Sequence, residues 1–259
     1  MTMCGDRDVE LERIGRFLVS YSSGVLSCGA TTLRTEKNVM RMARRFGVDT
    51  QLTILPMHCV LSVRDGADGS DRVLLSGQYS VGVNFQSITA LSRLSWKVAD
   101  EGLSIGQACR MLRFIMSRQR HPRWLVTMMA GVANASFCRL FGGDACAMAF
   151  VFLGTVLGME IKGCLLRNSA DGRIATIIAG MVSAIVASGC ALFALGTTPD
   201  VAVAASVLYL VPGVLYINAF SDFIHGHYIC SATMLMHAIE MTVSLGVGLL
   251  CGTMLLAIT

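Results

Sequence analysis

The chain has 259 residues, of which 54% are hydrophobic and 15% charged, with a formal net charge of +4. Ten cysteines without a single CxxC pair exclude a zinc or disulfide framework and read as reduced, small, buried residues. Of the 21 Lys and Arg, 17 lie at or before Arg123, against 11 acidic residues there, so the N-terminal part is basic while the remainder is apolar and slightly acidic. Basic residues ahead of a first apolar span follow the positive-inside rule, and without basic-aromatic interleaving they do not point to nucleic acid. The expected fold class is therefore an α+β N-terminal cytoplasmic domain, residues 1–123, followed by an all-α membrane bundle, residues 124–259.

In chain order, Leu11, Ile14, Leu18, Tyr21 and Val25 mark a helical stripe over residues 9–27. The N-terminus has no apolar h-region, so no cleaved signal peptide is expected. Gly29 and two threonines then predict a break and a new helix. That helix carries Val39, Ala43 and Phe46 on one face, Arg34, Lys37, Arg41, Arg44 and Arg45 on the other, and Gly47 as its C-cap. A basic face of this kind suits solvent, lipid headgroups or a partner. Residues 51–63 read as one β-rich run in which Pro56 suggests an edge or bulge, Gly66 and Gly69 a turn, and residues 73–76 a returning strand. Residues 86–100 form a helix with Ile88, Leu91, Leu94 and Val98 inward. Ser104 and Gln107 have capping-box spacing before a helix with Ile105, Ala108, Leu112 and Ile115 on one face, which His121-Pro122 stops.

Five spans are expected after that, over residues 124–141, 145–166, 174–195, 201–219 and 231–258. Small residues at i, i+4 (Gly131/Ala135, Gly154/Gly158, Ala184/Ser188 and Gly248/Gly252) permit close helix contact. Charge places residues 1–123, the loop 167–173 and the loop 221–228 in the cytoplasm, and the GGD and TTPD turns outside. The fourth span is interrupted by Pro212-Gly213, holds Asn218 near its end, and is followed by Asp222, His225 and His227. Proline removes a helical donor, leaving a carbonyl near residue 208 without its usual partner. A broken span beside polar groups is a familiar way to build a solute path, and a kinked packing helix is the plainer reading. Asn134, Asn218, His237 and Glu240 are the polar groups that membrane burial would make costly, with Asp222 nearby on the loop before the fifth span. His237 and Glu240, at i, i+3, share a face and suit proton or amine binding, or a buried hydrogen-bonded pair. His225-Gly226-His227 lacks a third ligand at a fixed spacing, so neither a metal nor a cofactor is expected. Ser27, Asp49, His58 and Ser76 are available for a membrane-anchored enzyme, with no spacing that specifies one.

The segment SCGATTLRTEKNVMRMARRFG resembles the SGA-x-T-x-R-x-E segment of the threonine/serine exporter (ThrE) family. SFCRLFGGD resembles that family's F-x-x-L-F-G-G turn, and YLVPGVLYINAFSDFIHGHYICSATMLMHAI its LVPG…N…D…G segment. Gly29, Arg34, Glu36, Gly142, Gly143, Pro212, Gly213, Asn218 and Asp222 fall on motif positions, while Cys28 and the His-Gly-His tail depart from the pattern. The layout resembles the family's shorter, YjjP-like subunit type. That resemblance implies an inner-membrane exporter subunit for a small amino acid (threonine or serine) or a dicarboxylate (succinate). It also implies a hetero-oligomer with a separate small YjjB-like membrane subunit, embedded in membrane lipid and binding no nucleic acid. A non-transporting scaffold or sensor is the rival class.

Overall fold

The computed structural model describes residues 2–65, 71–79, 82–117, 122–193 and 196–257. The chain is mostly helical, with one small three-stranded sheet. It divides into two compact units, residues 1–119 with 214–235 and residues 120–213 with 236–259. The turn glycines 66 and 69, His121, Leu195 and Ile258 lie outside the described residues.

In the first unit, α1 (Thr2–Ser27) buries Leu11, Leu18, Tyr21 and Val25 on its predicted stripe. α2 (Thr32–Phe46) starts at Thr31, whose hydroxyl accepts the Arg34 N–H, and ends at Gly47 in the left-handed conformation (φ 70°) that favours glycine. The β-rich run is two strands rather than one. β1 (Val48–Leu55) and β2 (His58–Asp65) form an antiparallel hairpin in which Leu55 opposes His58, and β3 (Asp71–Leu75) adds to the far edge of β2. Pro56 therefore sits in the hairpin turn, not in an edge or bulge. The turn also requires φ 66° at Met57, a residue type that gives no signal for it.

The central strand buries Cys59, Leu61 and Val63 on alternate positions, against α1. α3 (Phe85–Asp100) and α4 (Ile105–Ser117) close the core with Ile88, Leu91, Leu94, Val98, Ala108 and Leu112. The capping box forms reciprocally: the Ser104 N–H donates to Gln107 Oε1 (3.0 Å) and the Gln107 N–H to Ser104 Oγ (3.4 Å). Tyr21 crosses this core; its hydroxyl donates to the Leu91 carbonyl (2.9 Å) and accepts from Asn38 (3.0 Å), and burial pushes the phenol well above its ordinary pKa.

The second unit contains α5 (Arg123–Leu140), α6 (Ala145–Arg167), α7 (Gly172–Leu192) and α8 (Pro199–Ser206). A 3₁₀ turn (Leu208–Leu210) follows α8, and the chain then passes Val211 and Pro212 to begin α9 (Gly213–Ile224). α10 (Tyr228–Ala257) runs through residues of both units. Of these, α6, α7 and α10 are each long and apolar enough to cross a membrane, and α8–α9 make a fourth if the broken pair is one span. α5 forms within one residue of the bounds expected for the first span but is not among them. Its 18 residues extend about 27 Å and include Arg123, Asn134 and Arg139. Small residues set the helix contacts: a Cβ on Gly154 would stand 2.9 Å from the Ser183 carbonyl oxygen, and one on Gly252 2.8 Å from that of Met181.

Candidate functional site

The α1–α2 turn is shaped by Gly29, at φ 84°, whose N–H donates to the Leu26 carbonyl (2.9 Å). Three residues later α2 begins, and its first N–H groups have no helical acceptor. α9 supplies the partners. Asn218 Nδ2 donates to the Gly29 carbonyl at 2.8 Å. Asp222 Oδ1 accepts from the Thr32 hydroxyl (2.7 Å) and the Thr32 N–H (3.3 Å), so a carboxylate meets the positive end of α2. Both side chains are buried, Asp222 completely, and the i, i+4 spacing puts them on one face of α9. Asp222 Oδ2 is buried with no hydrogen-bond partner among the described residues. The opposite face of α9 exposes Ile217, Phe220, Phe223 and Ile224. The helix is thus polar inside and apolar outside, the reverse of a water-soluble helix.

Asp222 belongs to α9 itself rather than to the loop after it. That loop is tied back by the His227 N–H, which donates to the Asp222 carbonyl (2.9 Å), while His227 Nε2 lies 3.5 Å from Glu36 Oε1. Four of the motif residues, Gly29, Glu36, Asn218 and Asp222, therefore meet their partners here. Thr32 is the participant that the sequence reading missed. Arg34 turns its exposed side chain to a cleft beside α2.

Within the second unit, polar groups gather around the end of α8. Asn134 Nδ2 donates to Thr155 Oγ1 (3.0 Å), and that hydroxyl donates to the Ser206 carbonyl (3.3 Å), which the end of α8 leaves without a helical donor. Ser183 Oγ donates to the Gly154 carbonyl (2.8 Å) and lies 3.1 Å from the Tyr209 hydroxyl. Thr155, Ser183 and Tyr209 also escaped the sequence reading; singly, such residues are ordinary in any bundle. The Leu208 carbonyl is not left bare by Pro212: the 3₁₀ turn gives it the Val211 N–H at 3.2 Å. His237 and Glu240 share a face as their spacing predicts, 3.4 Å apart, but Glu240 also binds Arg173 at 2.8 Å and His237 is half exposed.

Gly142 (φ 88°) and Gly143 turn the chain between α5 and α6. The Gly143 N–H donates to the Cys138 carbonyl (2.8 Å). Asp144 caps α6 by accepting the Ala147 N–H (2.7 Å) and reaches the Thr197 N–H (2.5 Å), so the GGD and TTPD turns share one end of this unit. These backbone donors, Ala147 first, hold the Asp144 carboxyl below its ordinary pKa. No hydrogen bond joins Ser27, Asp49, His58 and Ser76 to one another among the described residues; Ser76 Oγ instead accepts the Cys59 N–H. No group of three or more His, Cys, Asp or Glu with metal-binding geometry is present among the described residues.

Residues 16–256 match the family model ThrE, "Putative threonine/serine exporter". The chain is 27% identical over 228 residues to the "Probable succinate transporter subunit YjjP" of Klebsiella aerogenes, covering 84% of each chain. It is 25% identical over 216 residues to the protein of the same description from Escherichia coli, covering 83% of each. To the "Probable threonine/serine exporter" of Mycobacterium tuberculosis it is 21% identical over 253 residues, 96% of this chain but 47% of that longer one. No solved structure matches it. The motif segments that meet at the α2 N-terminus thus lie within a match that spans nearly the whole chain, and the protein belongs to the threonine/serine exporter family.

Proposed function

We propose that the protein is the larger subunit of a secondary exporter in the inner membrane, acting on a small amino acid or a dicarboxylate. Its residues 1–123 would be cytoplasmic, five segments would span the membrane, and a small YjjB-like membrane protein would complete the path. The observation that carries this reading is α9: directly after the Pro212-Gly213 break it buries Asn218 and Asp222, with one carboxyl oxygen unpartnered, while presenting apolar side chains outward. A buried carboxyl group with a free oxygen suits a proton or a substrate ammonium group. The descriptions of the bacterial relatives support transport and name a subunit. α5 supports a fifth span, because Trp124, Met129, Val132 and Leu140 face outward while Thr127, Gly131, Asn134 and Cys138 are buried.

Transport of labelled threonine, serine and succinate into inverted vesicles, with and without the second subunit, tests the reading. Rates are divided by quantified membrane protein. Asp222→Asn is expected to cut the rate per molecule at least about tenfold, the effect of roughly 1.4 kcal/mol on a barrier. Pro212→Ala is expected to cut it with abundance retained. Asn218→Leu leaves the Gly29 carbonyl without its donor and costs about 1–3 kcal/mol of stability, so its abundance falls as well. Unchanged rates per molecule in all three variants would remove α9 from the path, and no transport of any solute with the partner present would leave the scaffold reading.

A further inference from the structure

A second site lies within the first unit, on the α2 face turned away from Glu36 and His227. Between α2 and α3 is a cleft of about 480 Å³. Arg34, Lys37 and Arg41 line it together with Thr31, Ser92 and Trp96, and no acidic residue does. Its volume falls in the range of small-molecule sites and exceeds what one inorganic ion fills.

The three cations differ in freedom. Arg41 is fixed: Nη1 donates to Asn38 Oδ1 (2.9 Å) and Ser95 Oγ (2.7 Å), and the guanidinium stacks 3.6 Å from the Trp96 ring centroid. Asn38 is itself held by the buried Tyr21 hydroxyl, so this corner is assembled in advance. Arg34 and Lys37 have exposed side chains, and among the described residues neither is in an ion pair. At i, i+3 and i, i+4 the three like charges repel one another. Glu36, the one acid in α2, is turned to His227 instead. One pinned guanidinium, two unpaired cations and lining hydroxyls are complementary to a compact ligand with two negative charges.

We propose that this cleft binds a small organic dianion, a dicarboxylate or a phosphate monoester. The site is separate from α9 and its occupancy is read as binding, so it stands or falls independently of the exporter reading. Trp96 reports directly, because Trp124→Phe leaves it as the one tryptophan of the chain. The full-length Trp124→Phe protein in phosphatidylcholine nanodiscs is titrated at constant ionic strength with succinate, with glycerol phosphate, and with uncharged succinamide. Saturable change in Trp96 fluorescence is expected with succinate or glycerol phosphate and not with succinamide. Arg34→Gln with Lys37→Gln is expected to weaken it at least about tenfold through loss of two charge-assisted contacts, without lowering the thermal midpoint, because both side chains are exposed and their loss relieves like-charge repulsion. The proposal is overturned if neither dianion gives a saturable response, if succinamide gives the same response, or if the double variant binds like its parent. A change that appears only on moving to phosphatidylglycerol nanodiscs also overturns it, the cleft then being a lipid-headgroup contact.

Discussion

Single side chains in this molecule do much of their work on free backbone groups. Asp222 closes the start of α2, Asn218 the Gly29 carbonyl, Thr155 the end of α8, and Asp144 the start of α6. Asp144 gives the clearest prediction because it lies between apolar helices rather than inside one. Its pKa is lowered in the folded state, so ionisation favours folding. That contribution is complete above the unfolded carboxyl value, near 3.9, and is lost as pH falls through the lower folded value. Asp144→Asn keeps a capping oxygen but removes the charge. Thermal midpoints in detergent are expected to show the variant below the parent at pH 6. The gap should close between about pH 4 and the lower folded value. A gap independent of pH would mean that the carboxylate charge contributes nothing.

Among elements, α7 and α10 meet through glycines. A Cβ on Gly248 would run into the Ile177 carbonyl, whereas one on Gly246 would meet nothing within 4 Å. Gly246→Ala is therefore expected to raise the thermal midpoint slightly, since alanine is favoured in a helix interior by roughly 0.5–1 kcal/mol. Gly248→Ala should lower it, overpacking costing about 1–3 kcal/mol. Equal shifts for the two would show that this contact is not tight.

The Gly248/Gly252 spacing was visible in the sequence, as were the stripe of α1, the caps of α2 and the Ser104–Gln107 box, because local rules govern each of them. The hairpin at Pro56-Met57 was not legible, since its positive φ falls on a methionine. Nor was the setting of Asn218 and Asp222. The spacing placed them on one face of a helix, but their partners Gly29 and Thr32 are far away in the chain, and no periodicity links them. The Arg173–Glu240 pair was hidden for the same reason.

At the scale of the whole molecule, membership of a transporter family and several apolar helices support a multi-pass membrane protein. The charge asymmetry predicts its orientation. His225 is exposed in the short loop between α9 and α10, which the positive-inside reading places in the cytoplasm. With His225→Cys in a cysteine-free background, an impermeant maleimide is expected to react in inverted vesicles and not in intact cells. Reaction in intact cells alone would reverse the orientation.

The Gly29–Asn218 and Thr32–Asp222 contacts join residues 189 and 190 positions apart. At about 5–20 residues per second, a ribosome needs about 10–40 s to make the intervening chain. Through that interval the turn before α2 has been synthesised while the amide and carboxylate that complete it do not yet exist. The earliest-made unit is thus among the last to be finished, and until α9 is made its incomplete seam is open to chaperones and proteases.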